Sequence, residues 1–151
     1  MFQRIIGFLY GIPGTSEERE TAFRHMVGDL APTAAADRLR GAVQHNTEKA
    51  GALLAALGIF TVGDTFALDH GWPQIPILLS LGLLILSTFL VMSILRSTVR
   101  MYRHPAERHD PVREIYKLLI SRMVRFNTAL YLSFLSIVLL GIAALSFVEK
   151  H

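Results

Sequence analysis

The sequence predicts an all-α integral membrane protein with three transmembrane helices, a small cytoplasmic helical stalk and an N-terminal amphipathic helix. Residues 71–95 contain no Asp, Glu, Lys, Arg or His over 25 positions, and residues 126–148 contain none over 23 positions. Each run is longer than the roughly 20 apolar residues that a helix needs to cross a bilayer core of about 30 Å. Hydrophobic residues make up 52% of the 151 residues and are concentrated in such runs, which is not typical of a soluble domain.

Residues 1–32 are predicted to form an N-terminal cytoplasmic segment that precedes a three-span membrane module at residues 33–151. Residues 1–11 hold a short apolar patch, which indicates either a small helix on the membrane surface or a tail that packs on the protein. No cleavage-site pattern follows this patch, so we expect no cleaved signal peptide.

A helix is predicted in the second half of the N-terminal segment. Thr15 and Glu18 have the spacing of a capping box, which indicates a helix start. Four apolar residues then recur at i, i+3, i+4 and i+7 and predict a face that rests on other helices or on lipid: Phe23, Met26, Val27 and Leu30. We expect Pro32 to end this helix.

The first span is predicted at about residues 50–68, as the apolar half of one helix that runs over residues 34–68. Thr33 is the expected cap, and the helix is polar up to about its sixteenth residue. Only 14 residues between Lys49 and Asp64 are uncharged, which is short for a full span, so a re-entrant segment is the alternative. We expect Asp64 to lie at the edge of the span and to reach the interface.

Small residues in the first span are predicted to form a helix-packing face. They recur four positions apart, a spacing that lets another helix approach closely in lipid: Gly51, Ala52, Ala55 and Ala56. The alternative is that glycine and alanine are common in membrane helices and mark no contact.

The second span is predicted at residues 74–95 and the third at residues 126–148, joined by a charged cytoplasmic loop at residues 96–125. Trp72 lies where an aromatic side chain anchors a span at the membrane surface. Asp110 followed by Pro111 predicts the start of a long helix that leads into the third span.

The lack of charged residues in the middle of the predicted spans indicates that one chain does not form an ion path. No charge is expected to lie buried in the middle of the membrane, which argues against a transporter or proton pump formed by one chain. A pore would therefore require oligomerisation. The serines of the spans are expected to bond mostly to their own helix backbone: Ser80, Ser87, Ser93, Ser133 and Ser136.

The distribution of Lys and Arg predicts the orientation. Residues 1–49 contain six, the loop at 96–125 contains eight, and the connection at 64–74 contains none. Positive loops stay in the cytoplasm. We therefore expect a multi-pass protein with a cytoplasmic N-terminus and a C-terminus on the periplasmic or outer side.

The sequence contains no residue pattern that is typical of an enzyme active site. Cysteine is absent, and no paired acid and base, glycine-rich phosphate loop or zinc-binding spacing occurs, so we expect no catalytic site, cofactor or metal. The densest group of candidate metal ligands lies in a segment whose prolines break helical register, which favours a solvated loop: His104, Glu107, His109 and Asp110.

The basic residues allow three interpretations. They flank apolar runs, so a nucleic acid polymer is not the expected partner of a chain with a formal charge of +3. They indicate ordinary positive-inside flanking, a patch for anionic lipid headgroups, or a cytoplasmic pocket for an anionic ligand. The candidate contacts for such a ligand are Arg40, Asn46, Lys49, Arg113 and Lys117.

Two short motifs next to the spans carry a resemblance to a known family. Asn46-Thr47-Glu48-Lys49-Ala50 leads into the first span, and Glu114-Ile115-Tyr116-Lys117-Leu118-Leu119, with Arg122 and Arg125, leads into the last. Over about residues 35–148 the chain resembles the small membrane effectors of Pycsar antiphage systems (PycTM-like proteins) and the related SLATT-type modules. Residues 1–32 have no counterpart there, and the first motif reads Thr-Glu-Lys where the family pattern has Asp-x-Lys.

The resemblance implies a protein of the bacterial inner membrane that responds to a cyclic nucleotide made by a partner cyclase. Such a protein would oligomerise or rearrange and permeabilise the bilayer, stopping phage spread. The alternative is an accessory or structural subunit of a larger bacterial membrane complex. The expected partners are the lipid bilayer and either further copies of the chain or other subunits.

Overall fold

The computed structural model describes residues 15–103 and 111–149, with side chains described for residues 15–96 and 112–149. Regular structure in these ranges consists of four α-helices. They are α1 (Ser16–Val27), α2 (Pro32–Asp69), α3 (Gln74–Arg103) and α4 (Pro111–Val148). The all-α prediction is confirmed. The surface patch at 1–11 and the candidate metal ligands at 104–110 lie outside the described residues.

Three of the helices are long and apolar enough to cross a membrane. The candidate spans lie within Pro32–Asp69, Gln74–Arg96 and Val112–Val148, which contain 38, 23 and 37 residues. A helix rises about 1.5 Å per residue, so each of them exceeds the bilayer core of about 30 Å. The prediction of three helices that could span a membrane is confirmed by their length and composition.

Helix α1 begins as predicted but ends early. Thr15 Oγ1 accepts from the backbone N–H of Glu18 at 3.2 Å, and the Glu18 carboxylate accepts from the Thr15 N–H at 3.2 Å, which completes the capping box. Gly28 adopts a φ of 50° and donates its N–H to the carbonyl of Arg24. This turn ends the helix at Val27, so the expectation that Pro32 ends it was wrong.

Helix α2 begins at Pro32, one residue before the predicted cap. Proline suits the first position of a helix because its missing N–H has no acceptor there, and Thr33 is therefore already helical. From that point the helix is continuous to Asp69. The prediction of one unbroken helix over this part of the chain is confirmed, and the bounds of the span at residues 50–68 stay a prediction.

The contacts divide the chain into two units. The first unit comprises Met1–Glu48 and Ser97–Val124, and the second comprises Lys49–Arg96 and Arg125–His151. The division at residues 32 and 33 that the sequence suggests stays a prediction.

The first unit has an apolar core of its own. Leu39 and Val43 of α2 lie against three buried residues of α4, namely Ile115, Tyr116 and Leu119. The apolar face of α1 packs on this cluster through Phe23, Met26 and Val27. That face was predicted to rest either on other helices or on lipid, and the structure shows helices.

Tyr116 ties α1 to α4 inside the first unit. Its ring meets that of Phe23 edge-on, with the centroids 5.1 Å apart, and its hydroxyl donates to the carbonyl of Arg19 at 3.0 Å. Burial raises the pKa of Tyr116, which moves loss of the hydroxyl proton still further above neutral pH.

The second unit is built from the apolar parts of α2, α3 and α4. Its core contains Ala50, Leu57, Leu84, Val91, Ile94 and Ala129, and a smaller cluster contains Ala67, Ile77 and Ala143. Many large apolar side chains point outward, such as Ile59, Phe89 and Leu145. Because water does not tolerate so large an apolar surface, lipid or another protein must cover it.

Candidate functional site

A polar group lies where the three apolar helices meet in the second unit. It consists of Asp64 from α2, Ser80 from α3 and Ser136 from α4, and the exposed fraction of each is 2% or less. Ser80 Oγ lies 2.5 Å from Asp64 Oδ2 and 2.7 Å from Ser136 Oγ. It also lies 3.3 Å from the carbonyl oxygen of Ser136.

The spacing of buried residues explains why Asp64 is turned inward. Ala50, Leu57 and Asp64 are buried seven residues apart on α2, and seven residues are close to two helical turns. The carboxyl group therefore occupies a core position. The expectation that the Asp64 side chain reaches the interface was wrong. That expectation used only the position of Asp64 near the end of the span, whereas the side chain points into the helix bundle.

The same periodicity places serines inside the unit. The buried residues of α3 follow one another at intervals of three and four, which is the spacing of a helix-packing seam: Ile77, Ser80, Leu84, Ser87, Val91 and Ile94. Small hydroxyl residues at such positions let two helices approach closely in lipid.

Two serines form a second contact between α3 and α4. Ser87 Oγ donates to the carbonyl of Ala129 at 2.6 Å and lies 3.0 Å from Ser133 Oγ. Ser133 also bonds to that carbonyl, which belongs to its own helix. Ser133 and Ser93 bond to their own helix backbone as expected, but Ser133 also contacts Ser87 of α3 and Ser93 also accepts from Arg125 of α4. Ser80 and Ser87 bond to backbone carbonyls of another helix.

Replacing Ser87 by alanine is expected to weaken the second unit by about 0.5–2 kcal/mol, the range found for hydrogen bonds between membrane helices. Thr88→Ala is the matched control, because the Thr88 hydroxyl bonds only to the carbonyl of Leu84 in its own helix. Unfolding of the purified protein in a denaturing detergent measures both. Equal losses for the two variants would contradict a contribution from the bond between helices.

The candidate ligand contacts on the surface have acidic neighbours. Arg40 pairs with Asp37 at 3.2 Å, Lys117 pairs with Glu114 at 3.0 Å, and Arg113 pairs with Glu20 of α1 at 3.1 Å. An anionic ligand would have to displace these carboxylates. The assignment of Arg40, Arg113 and Lys117 as ligand contacts stays a prediction.

The other two candidate contacts lie in different environments. Asn46 is buried in the first unit, and its Nδ2 has no hydrogen-bond partner among the described residues. Lys49 is exposed and belongs to the second unit. Their role as ligand contacts also stays a prediction.

Arg122 is a buried cation that sequence reasoning had counted only as a loop charge and a motif residue. Its exposed fraction is 0%, and its Nη1 donates to Thr47 Oγ1 of α2 at 3.2 Å within the first unit. The signal was its position three residues after Leu119, on the buried stripe of α4. A guanidinium has five donors in a rigid fork and is suited to such a site.

The predicted small-residue face makes no core contact with the rest of the described chain. Gly51, Ala52 and Ala55 are exposed and Ala56 is half-buried, whereas Ala50 and Leu57 occupy the core. A Cβ added at Gly51 would meet no atom within 4 Å. The face is open to lipid or to another molecule, and its role in helix packing stays a prediction.

Within the described residues, no group of three or more His, Cys, Asp or Glu side chains has the arrangement of a metal site. Comparisons with protein-family models, with curated proteins and with solved structures find no match to this chain. Its function must therefore be inferred from its own residues and their contacts.

Proposed function

We propose that this chain is a non-enzymatic effector of the bacterial inner membrane. In this proposal a cyclic nucleotide binds on the cytoplasmic side, the membrane helices rearrange or oligomerise, and the bilayer becomes permeable as part of antiphage defence. The N-terminus is cytoplasmic and the C-terminus is periplasmic, as the distribution of Lys and Arg favours.

The observation that carries the proposal is the continuity of three helices through both units. Helix α2 passes from the first unit to the second after Glu48, α3 passes from the second to the first after Arg96, and α4 passes from the first to the second after Val124. A helix is a stiff element, and small shifts of helices are a common mode of switching. Ligand binding to the first unit would thus act on the packing of the second.

The outward surface of the second unit supports self-association. The face of Gly51, Ala52 and Ala55 is exposed and made of small residues, which suits close helix contact in lipid. Residues 71–95 and 126–148 contain no charged residue, and the polar side chains inside the second unit, such as Ser80, are buried and hydrogen-bonded between helices. In this proposal the path therefore forms between several copies of the chain.

The function is tested by the response of membranes to cyclic nucleotides. Cells that express the chain are supplied with a panel of cyclic mononucleotides and dinucleotides, and entry of a dye that intact membranes exclude is recorded. Binding of the same compounds to the purified chain is measured by calorimetry. The proposal predicts that at least one compound binds the purified chain and also raises dye entry. It fails if no compound binds, or if no compound that binds raises dye entry.

Arg113→Ala identifies the binding surface in the same experiment. Losing a charge-assisted hydrogen bond of about 1.5–3 kcal/mol would weaken nucleotide binding by about tenfold or more. Arg38→Ala is the matched control, because Arg38 is an exposed arginine in the same unit and is not a candidate contact. Equal affinities of the two variants would remove Arg113 from the site.

The alternative function is an accessory or structural subunit of a larger membrane complex. The large outward side chains of the second unit, such as Ile59 and Phe89, could be covered by other subunits as well as by lipid. The genes beside this one discriminate between the two functions. A neighbouring cyclase gene favours the effector, and genes for a respiratory or transport complex favour the subunit.

A further inference from the structure

We propose that Asp64, Ser80 and Ser136 form a proton-binding site inside the second unit, in which the Asp64 carboxyl group is neutral while α2, α3 and α4 are packed together. This inference does not rest on the effector function, since it follows from the contacts of one buried side chain.

The Asp64 carboxyl group has too few hydrogen bonds for a buried anion. Its exposed fraction is 0%, and only Oδ2 is bonded, to Ser80. Oδ1 is buried and has no hydrogen-bond partner among the described residues. An ionised carboxylate offers about four acceptor positions and is costly to bury unless it is paired and hydrogen-bonded. One serine hydroxyl does not meet that need.

Among the residues that the structure describes, no cation contacts the Asp64 carboxyl group. The polar group that meets Asp64 is Ser80 of α3, which in turn meets Ser136 of α4. Residues 71–95 and 126–148 contain no Asp, Glu, Lys, Arg or His. On α2 the nearest ionisable residue before Asp64 is Lys49, fifteen positions away. Asp69 and His70 follow it, and both side chains are exposed.

The oxygen–oxygen distances favour a proton over a metal ion. Hard cations bind oxygen at about 2.0–2.6 Å, so neighbouring oxygens of an octahedral shell lie about 2.8 Å apart or more. Ser80 Oγ is only 2.5 Å from Asp64 Oδ2 and 2.7 Å from Ser136 Oγ. Such short separations are typical of O–H···O hydrogen bonds.

A neutral carboxyl group completes a chain of hydrogen bonds across the three helices. An ionised Asp64 would accept at Oδ2 from the Ser80 hydroxyl, whereas a neutral carboxyl group reverses this 2.5 Å bond and donates from Oδ2 to Ser80 Oγ. The Ser80 hydroxyl is then free to donate to Ser136 Oγ or to the Ser136 carbonyl. Loss of the proton places an uncompensated charge among apolar residues, and the charge is relieved only if α2 moves away from Ser80 and Ser136. Release of the proton is therefore coupled to opening of this contact.

The site lies close to one end of the second unit. Asp64 is five residues from the end of α2 at Asp69, and Ser80 is six residues from the start of α3 at Gln74, which correspond to about 8–9 Å along each helix. We therefore expect the proton to exchange with the aqueous phase at the connection of residues 70–73.

Infrared spectroscopy of the purified full chain in lipid nanodiscs tests the proposal directly. At pH 7 the wild type should show the carbonyl band of a protonated carboxylic acid, and the band should be absent from Asp64→Asn and retained in Asp69→Asn. Ser80→Ala should shift the band, because it removes the hydrogen bond between Oδ2 and Ser80. A wild-type spectrum without a protonated-carboxyl band at pH 7 overturns the proposal.

Stability as a function of pH supplies an independent readout. A carboxyl group that is neutral when buried and ionised when exposed makes the unfolding constant rise by about tenfold per pH unit, in the range where only the unfolded chain is ionised. Asp64→Asn should lose this dependence and Asp69→Asn should keep it. The proposal fails if Asp64→Asn keeps the wild-type dependence, or if replacing Na⁺ by K⁺ changes wild-type stability, since that result indicates a bound metal ion.

Discussion

Replacing Leu39 by alanine is expected to destabilise the first unit by about 2–5 kcal/mol. Leu39 has an exposed fraction of 1% and lies in the cluster that joins α2 to α4. Truncation removes buried methyl groups and leaves a cavity that the packed helices fill only in part. The loss is large because an entire domain is stable by only about 5–15 kcal/mol.

Native-state hydrogen exchange of α2 amides measures the effect of Leu39→Ala. The amides of residues 39–43 should exchange faster by a factor of at least about 30, which corresponds to about 2 kcal/mol. Leu30→Ala is the control, because Leu30 lies outside the helices with an exposed fraction of 41%, and it should change stability by about 0.5 kcal/mol or less. Similar effects of the two variants would show that the first unit lacks the cooperative core described above.

Replacing Arg122 by alanine is expected to cost about 3–5 kcal/mol. The change deletes the hydrogen bond from Nη1 to Thr47 and removes a fully buried side chain from the stripe that begins at Ile115. A charged group contributes about 1.5–3 kcal/mol through such a bond, and the cavity left by the side chain adds to that cost.

Two further variants separate the charge of Arg122 from its volume. Arg122→Met fills the space without charge, and apolar replacements of buried charges are often neutral or stabilising, so recovery of stability would assign the effect to volume. Arg24→Ala is the surface control, because Arg24 is 78% exposed and pairs with Glu20, and exposed pairs contribute about 0–1 kcal/mol. Denaturant unfolding of the full chain measures all three variants, and a loss for Arg122→Ala no larger than that for Arg24→Ala would contradict the prediction.

Hydropathy along the chain does not predict that Arg122 and Asp64 are buried. Both are ionisable residues near the ends of uncharged runs, and hydropathy therefore places both at a membrane boundary. Both are fully buried because their side chains continue a stripe of apolar residues with helical spacing. A test of periodicity through each charged residue, and not only between charged residues, would have identified them.

The sequence by itself determined the all-α class, the three apolar helices, the capping box of Thr15 and Glu18 and the unbroken course of α2. These features depend on local composition and on spacing along one helix, which are visible in a single chain. The early end of α1 at Gly28 was missed because the helical pattern of apolar residues continued past it to Leu30.

Only the tertiary structure decided which faces of the helices meet. It turned Asp64 and Ser80 toward each other, placed Arg122 beside Thr47 and left Gly51 and Ala55 outside the chain's own core. The physical reason is that spans of nearly uniform hydrophobicity have no polar face to orient them in lipid. Their rotation is set by close packing and by the few hydrogen bonds between helices, and both depend on partners distant in sequence.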